Sequence, residues 1–208
     1  WTINSYTLTV KPNGGTWEGK TTDQTFTQNY NTTKTIANPT RTGYTFTGWT
    51  ADGGSLSGTT YTFGATNGTL TANWTINNYT LTVNPAGGTW EGSTSAKQFT
   101  GTYGTSKSLA VPTRTGYTFV GWTYGENTYA DKAEVKNLAT EGEVTLTAQW
   151  KANAYTITFA ANGGDGEMLD MTVAYDETVN LTANAFSKAG YTFVGWTGTG
   201  LNGTIEVV

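Results

Sequence analysis

Apolar and polar residues alternate in short runs that recur along the chain. The clearest runs are residues 6–10, 79–83 and 155–159, in which threonine separates tyrosine from leucine, isoleucine, valine or phenylalanine. Because successive side chains of a β-strand point to opposite faces, each run predicts a strand with one apolar and one threonine-rich face. Glycine-rich turns follow the runs, and no long amphipathic helix is visible. The pattern predicts an all-β or nearly all-β chain.

The longest recurring phrase is Gly-Tyr-Thr-Phe-Thr-Gly-Trp at residues 43–49, which returns with valine as its fifth residue at 116–122 and 190–196. Tyrosine and phenylalanine share one strand face, whereas the tryptophan has the opposite parity. A bulge or bend at the preceding glycine (Gly48, Gly121 or Gly195) would return the indole to the core. The predicted core consists of these aromatic residues and the tryptophans that close the first two copies: Tyr44, Phe46, Trp49, Trp74, Tyr117, Phe119, Trp122, Trp150, Tyr191, Phe193 and Trp196.

The spacing of the phrase, 73 and then 74 residues, divides the chain into modules. We expect residues 1–5 to be the end of a preceding repeat with its linker, 6–77 the first module and 78–153 the second. Residues 154–208 are the third module, which we expect to be truncated before its closing strand, so that the chain is a segment of a longer array. A link of four residues spans at most about 14 Å, which predicts modules placed end to end with restricted orientation.

Two further sets of positions recur at fixed offsets. Apolar residues predicted to lie in the core are Phe26, Phe99 and Met171, then Tyr30, Tyr103 and Tyr175, then Ile36, Leu109 and Leu181. The segments 38–43 and 111–116 contain a proline before polar residues and glycine, which predicts one helical turn or a tight loop. Residues 184–190 lack the proline, so a helix is easier to form there.

The composition argues against catalysis. The chain has neither cysteine nor histidine, which removes disulfides, thiol nucleophiles, the commonest general base and the usual transition-metal ligands. Its acidic residues lie mostly in loops, and five of them have no clear counterpart in the first copy: Glu126, Asp131, Glu134, Glu141 and Glu143. We therefore predict no enzyme, no cofactor and no metal site. The net charge of -4 argues against nucleic acid, and no stretch is long enough to insert into a membrane.

The sharpest candidates for ligand binding are Trp17 and Trp90, each in a Thr-Trp-Glu-Gly sequence beside a glycine turn. An exposed indole could stack on a sugar ring or anchor a protein partner. Alternatively, both indoles fold back over their own module or pack against the next one, and we favour this interpretation. The third copy has Asp165-Gly166-Glu167 at this place, so a tryptophan site would not be common to all modules.

Two sets of charged residues are weaker candidates for binding sites. Asp165, Glu167 and Asp170 could offer oxygen ligands to calcium, but their spacing does not fit an EF-hand loop and a solvated turn explains them equally well. Arg41, Arg114 and Lys188 occupy the same place in each module. This recurring basic position could meet an anionic polymer.

The motifs taken together resemble a known repeat. A Tyr-Thr-Leu-Thr-Val strand, an Asn-Gly-Gly turn, the central phrase and a closing Leu-Thr-Ala-Asn-Trp are similar to the Listeria–Bacteroides repeat, the B-repeat type of internalin B and many bacterial surface proteins. The resemblance covers nearly the whole chain, although the insertion between the central phrase and the closing strand is longer than the family pattern.

The resemblance implies a mainly β or α+β fold: small ubiquitin-like β-grasp modules with a reduced helix, arranged end to end. It also implies an extracellular protein, wall-attached at the bacterial cell surface or secreted, in which the repeats act as stalk, spacer or adhesive surface. The expected partners are the neighbouring modules of the same chain. The alternative is a binding module that recognises host protein or glycan through Trp17 and Trp90 or through a groove between modules.

Overall fold

The computed structural model describes residues 1–130 and 133–198, so residues 131–132, which include Asp131, and residues 199–208 lie outside it. Within the described residues every regular element is a β-strand. The prediction of a mainly β fold is confirmed, whereas the reduced helix and the α+β alternative are not found there. Residues 38–43 form a loop instead, because Thr40 exchanges two backbone hydrogen bonds of 2.7 and 2.9 Å with Thr16. Equivalent bridges hold residues 111–116 and 184–190.

The first module contains a four-stranded sheet and a smaller three-stranded one. The large sheet has the order β2-β1-β7-β4, with β1 and β7 parallel and the other pairs antiparallel. The small sheet has the order β3-β6-β5. The strands are β1 (Ser5–Lys11), β2 (Gln24–Asn29), β3 (Thr33–Thr35), β4 (Tyr44–Asp52), β5 (Gly54–Ser57), β6 (Thr60–Phe63) and β7 (Gly68–Ile76).

The second module repeats the large sheet. Its order is β12-β11-β14-β8-β9, in which β8 and β14 are the parallel pair, while β10 and β13 form a separate two-stranded sheet. The strands are β8 (Asn78–Asn84), β9 (Lys97–Thr102), β10 (Lys107–Ser108), β11 (Tyr117–Tyr124), β12 (Asn127–Tyr129), β13 (Glu134–Val135) and β14 (Glu143–Ala152).

The described part of the third module has one antiparallel pair, β15 (Ala154–Ile157) with β16 (Met171–Ala174). This pair corresponds to β1/β2 and β8/β9. Residues 190–198, which contain the third central phrase, form no strand. Tyr191 is 73% exposed and Phe193 48%. The core role predicted for these two residues is therefore wrong in the described structure, where neither lies in a paired strand.

The bulge predicted inside the central phrase is present in both large sheets. The β4/β7 register shifts between Phe46 and Gly48, and the β11/β14 register shifts between Phe119 and Gly121. Each shift turns the following indole back onto the phenylalanine of the same phrase. The ring centroids of Trp49 and Phe46 are 5.4 Å apart, and those of the equivalent pair in the second module are 5.3 Å apart. The extra residue thus reverses the parity of the tryptophan, as expected of a bulge.

The cores combine predicted and unpredicted residues. Trp122 is fully buried, whereas the remaining predicted core aromatics of the first two modules are half-buried: Tyr44, Phe46, Trp49, Trp74, Tyr117, Phe119 and Trp150. Trp196, which is also half-buried, packs against Phe193 at 4.9 Å. Fully buried residues that the repeat pattern did not identify lie in the variable segments after the central phrase: Tyr61, Phe63 and Val135.

Candidate functional site

Trp17 and Trp90 are buried in their own modules. Each indole is 1% exposed, and its Nε1–H donates a 2.8 Å hydrogen bond to a backbone carbonyl, that of Ala37 or Ala110 respectively. The hypothesis that exposed indoles stack on a ligand is wrong because neither ring reaches the surface. The alternative, in which the tryptophans fold back over their own core, describes the structure.

The recurring cations each lie over the tyrosine of the central phrase. The guanidinium carbon of Arg41 is 3.7 Å from the Tyr44 ring centroid, and that of Arg114 is 3.8 Å from the Tyr117 centroid. Lys188 Nζ lies 4.8 Å from the ring of the third copy. A cation over an aromatic face at an exposed site contributes about 0.5–1 kcal/mol. The position thus has a local structural use in every copy.

The carboxylates do not converge. Among the described residues there is no group of three or more acidic side chains that could hold a metal ion, and the structure does not gather Asp165, Glu167 and Asp170 into one. The part of the chain that the structure describes also contains no helix long and apolar enough to cross a bilayer.

The most distinctive geometry lies where one predicted module meets the next. Gly43 begins the central phrase with φ +75°, and the ring of Tyr103 from the second module lies directly against it. A Cβ atom at Gly43 would overlap that ring. Tyr44 meets Tyr103 edge to face at 6.2 Å. We call Gly43, Tyr44, Asn77 and Tyr103 the first junction.

Asn77, the single residue between β7 and β8, is hydrogen-bonded on both sides. Its backbone N–H donates to the carbonyl of Gly43 at 2.9 Å, and its carbonyl accepts from the N–H of Tyr103 at 3.0 Å. Its side-chain Oδ1 accepts a 2.7 Å hydrogen bond from Thr45 Oγ1. These bonds restrict the link residue, because buried or paired backbone groups are costly to release.

A second junction repeats this geometry with Gly116, Tyr117, Asn153 and Tyr175. The Asn153 N–H donates to Gly116 at 2.9 Å, and its carbonyl accepts from Tyr175 at 2.8 Å. Thr118 Oγ1 donates to its Oδ1 at 2.6 Å. The two tyrosine rings meet edge to face at 5.6 Å, and the Tyr175 ring covers Gly116, whose φ is +77°.

The second junction has one additional polar contact. Tyr117 OH donates a 3.1 Å hydrogen bond to Asp176 Oδ2. Desolvation, together with the hydrogen bond and the negative charge of Asp176, raises the pKa of Tyr117 above its usual value, while the cation of Arg114 opposes this shift. The protonated phenol is the form that donates to the carboxylate.

The prediction that Tyr103 and Tyr175 are core residues of their own modules is wrong. Tyr103 and Tyr175 pack on the preceding module rather than inside their own, and Tyr30, the equivalent residue of the first module, is 48% exposed. The sequence does contain a signal for the junction, since asparagine occupies the same place before each opening strand (Asn4, Asn77 and Asn153). Tyr30 N–H donates to the carbonyl of Asn4 at 2.9 Å, so this half of the junction recurs in all three copies.

Comparisons with known proteins cover the whole repeat pattern. The family model of the Listeria-Bacteroides repeat domain matches residues 6–76 and 155–205, and that of the divergent InlB B-repeat domain matches residues 79–154. Neither description names an enzyme.

Two relatives come from Evansella cellulosilytica. The protein named "Putative membrane protein" is 28% identical over 204 residues, which cover 94% of this chain and 29% of that protein. The protein named "Putative Gly-rich membrane protein" is 31% identical over 179 residues, which cover 76% of this chain and 20% of that protein. The chain thus spans less than a third of either relative's length. With both complete copies and most of the third matched by the family models, this chain belongs to the Listeria–Bacteroides repeat family.

Proposed function

We propose that this chain is a non-enzymatic segment of an extracellular bacterial surface protein, in which modules docked end to end form a stalk that displays other parts of the protein. The observation that carries the proposal is the junction, which occurs twice in the described residues with the same residue types, the same three hydrogen bonds and the same ring on glycine. The family assignment and the membrane-protein names of the two relatives support the surface location.

The sheet topology supports β-grasp modules. In each of the first two modules the opening strand and the closing strand are parallel neighbours at the centre of the large sheet, with antiparallel strands on both sides. A β-grasp sheet also has its first and last strands as a central parallel pair, and this likeness supports the assignment, although the described residues contain no helix.

The junction supports a stalk because it limits how neighbouring modules rotate. A flexible linker gains orientational entropy with every free residue. Here only Asn77 separates β7 from β8 and only Asn153 separates β14 from β15, and the backbone N–H and C=O of both residues are hydrogen-bonded. Successive modules therefore keep a fixed orientation, and the length of the array grows with the number of modules.

The orientation can be tested by residual dipolar couplings. We expect couplings from the first and second modules to fit one alignment tensor. A variant with a flexible Gly-Ser insertion after Asn77 serves as the matched control, in which the two modules should need separate tensors. Two independent tensors in the unmodified chain would refute the docked arrangement.

The display role can be tested by a ligand search. If the segment only spaces and displays other domains, a glycan array and a pull-down with this chain should reveal no saturable ligand. A saturable ligand that binds with the modules intact would overturn the spacer role and favour recognition of host protein or glycan.

A further inference from the structure

The strands by which the chain enters and leaves a module lie side by side. In the first module β1 opens the fold and β7 closes it, and the two run parallel with Leu8 opposite Gly68 and Lys11 opposite Thr71. In the second module β8 and β14 have the same relation, from Thr80 opposite Glu143 onward. The entry end of one strand and the exit end of the other therefore point to opposite poles of the module.

A tensile force along the chain would slide these strands past each other. It would pull the opening strand toward its own start and the closing strand toward its own end, along the strand axis. The inter-strand hydrogen bonds run across this direction, so all of them resist together. When two strands are instead pulled apart from one end, their hydrogen bonds break one pair at a time.

Packing protects the parallel pair. In the first module β1 lies between β2 and β7, and β7 lies between β1 and β4, so neither strand is at an edge of its sheet. Leu8, Val10 and Leu70 on these strands are 0% exposed. Burial keeps water away from the ladder, where it would compete for the hydrogen bonds. Leu81, Val83 and Leu146 bury the second pair in the same way.

We propose that each of the first two modules is a shear clamp that bears tension applied along the array. The load passes from β7 through Asn77 into β8, and from β14 through Asn153 into β15, with one link residue each time. A spacer needs only length, so this assigns the modules a mechanical function beyond display. The source of tension is a pull between the two ends of the array, such as that on a surface protein whose distal part is held.

Single-molecule force spectroscopy on the second module tests the clamp through the pulling direction. In one variant the handles are attached through Asn78→Cys and Lys151→Cys, which loads β8 and β14 in shear. In the matched variant they are attached through Asn78→Cys and Thr105→Cys, which peels β9 from β8, because Asn78 pairs with Thr102 at the same end of the sheet. We expect a several-fold higher unfolding force in the shear direction. Equal forces, or a lower force in shear, would overturn the proposal.

A second comparison separates the clamp from general stability. Leu146 lies on β14 and Leu109 lies off the parallel pair, yet both are 0% exposed. Both Leu→Ala variants should lose similar thermodynamic stability, and L146A should lower the shear unfolding force more than L109A does. If the two variants lower the force equally, resistance follows overall stability and the clamp is refuted. The comparison of pulling directions stands even where either variant fails to fold.

Discussion

Gly43→Ala is the most direct perturbation of the first junction, and the chain provides a matched control for it. Gly43 and Gly19 have the same φ of +75°, a conformation that side chains with a Cβ rarely adopt. They differ in surroundings, since a Cβ at Gly43 would overlap the Tyr103 ring while a Cβ at Gly19 would meet no atom within 4 Å. Comparing the two variants therefore isolates the contact between modules from the backbone cost.

The expected magnitudes follow from these two terms. Holding alanine in the left-handed region costs about 1–2 kcal/mol, and this cost applies to both variants. Overlap with a packed ring adds about 1–3 kcal/mol if the junction stays closed. The Tyr103 ring is half-buried and can swing out, which would relieve the overlap at the expense of the junction. G43A should therefore lose either more stability than G19A or the fixed orientation of the modules.

Two measurements distinguish these outcomes: denaturant unfolding for the stability of the first module, and residual dipolar couplings for its orientation relative to the second. G116A and G92A are the corresponding pair at the second junction, with φ of +77° and +75° and the same difference in surroundings. The reasoning is refuted if G43A matches G19A in both stability and orientation, because the ring on Gly43 would then contribute nothing.

Three further predictions test other parts of the structure. Trp17→Ala should reduce the free energy of unfolding by about 3–5 kcal/mol in urea denaturation, whereas Trp1→Ala should not, because Trp1 is fully exposed. Burial and the nearby Asp52 raise the pKa of Tyr61 above its usual value of 10.0. The stability that the protonated phenol contributes is therefore present below pH 10 and is lost as the pH rises through the raised pKa. Tyr61→Phe should remove this part of the loss of stability when alkaline denaturation is measured. Tyr103→Ala should uncouple the first two modules in dipolar couplings, while the equivalent Tyr30→Ala should leave their relative orientation unchanged; uncoupling by Y30A would contradict the assignment of the junction.

The sequence predicted the features that depend on local pattern. The alternation of side chains along a strand and the parity of Trp49 and Trp122 are visible within a few residues of sequence. The opening strands and both bulges could therefore be predicted from the sequence alone. The burial of Tyr61 and Phe63 could not be found by comparing copies, because the segment that contains them varies between modules. For residues 38–43 and 111–116 the sequence left a helical turn and a tight loop open, and the backbone pairing of Thr40 with Thr16 and of Thr113 with Thr89 selects the loop.

The position of Tyr103 shows a different limit. A tyrosine that packs inside its module and one that packs on the neighbour produce the same signal, an aromatic residue at a fixed offset in each copy. Only the pairing of whole strands distinguishes the two. Tyr30 of the first module keeps the same offset yet is 48% exposed, so the offset alone does not determine whether the ring is buried.

The hydrogen bonds of Asn77 explain why a tyrosine meets a glycine at the junction. The β4/β7 ladder pairs Tyr44 with Ile76, and the bond from Asn77 to Gly43 continues it by one residue. The β8/β9 ladder pairs Asn78 with Thr102, and the bond from Tyr103 to Asn77 continues that ladder as well.

The N–H and C=O of one residue in an extended strand point to the same side. Both ladders therefore continue on one side of Asn77, and the end of β9 meets the start of β4 there. These two strand ends lie against each other, so Gly43, which the Tyr103 ring covers, has no room for a Cβ. Asn153 creates the same geometry between Gly116 and Tyr175. Each asparagine thus continues one ladder of the preceding module and one of the following module, and in the proposals made above this shared residue transmits both orientation and load from module to module.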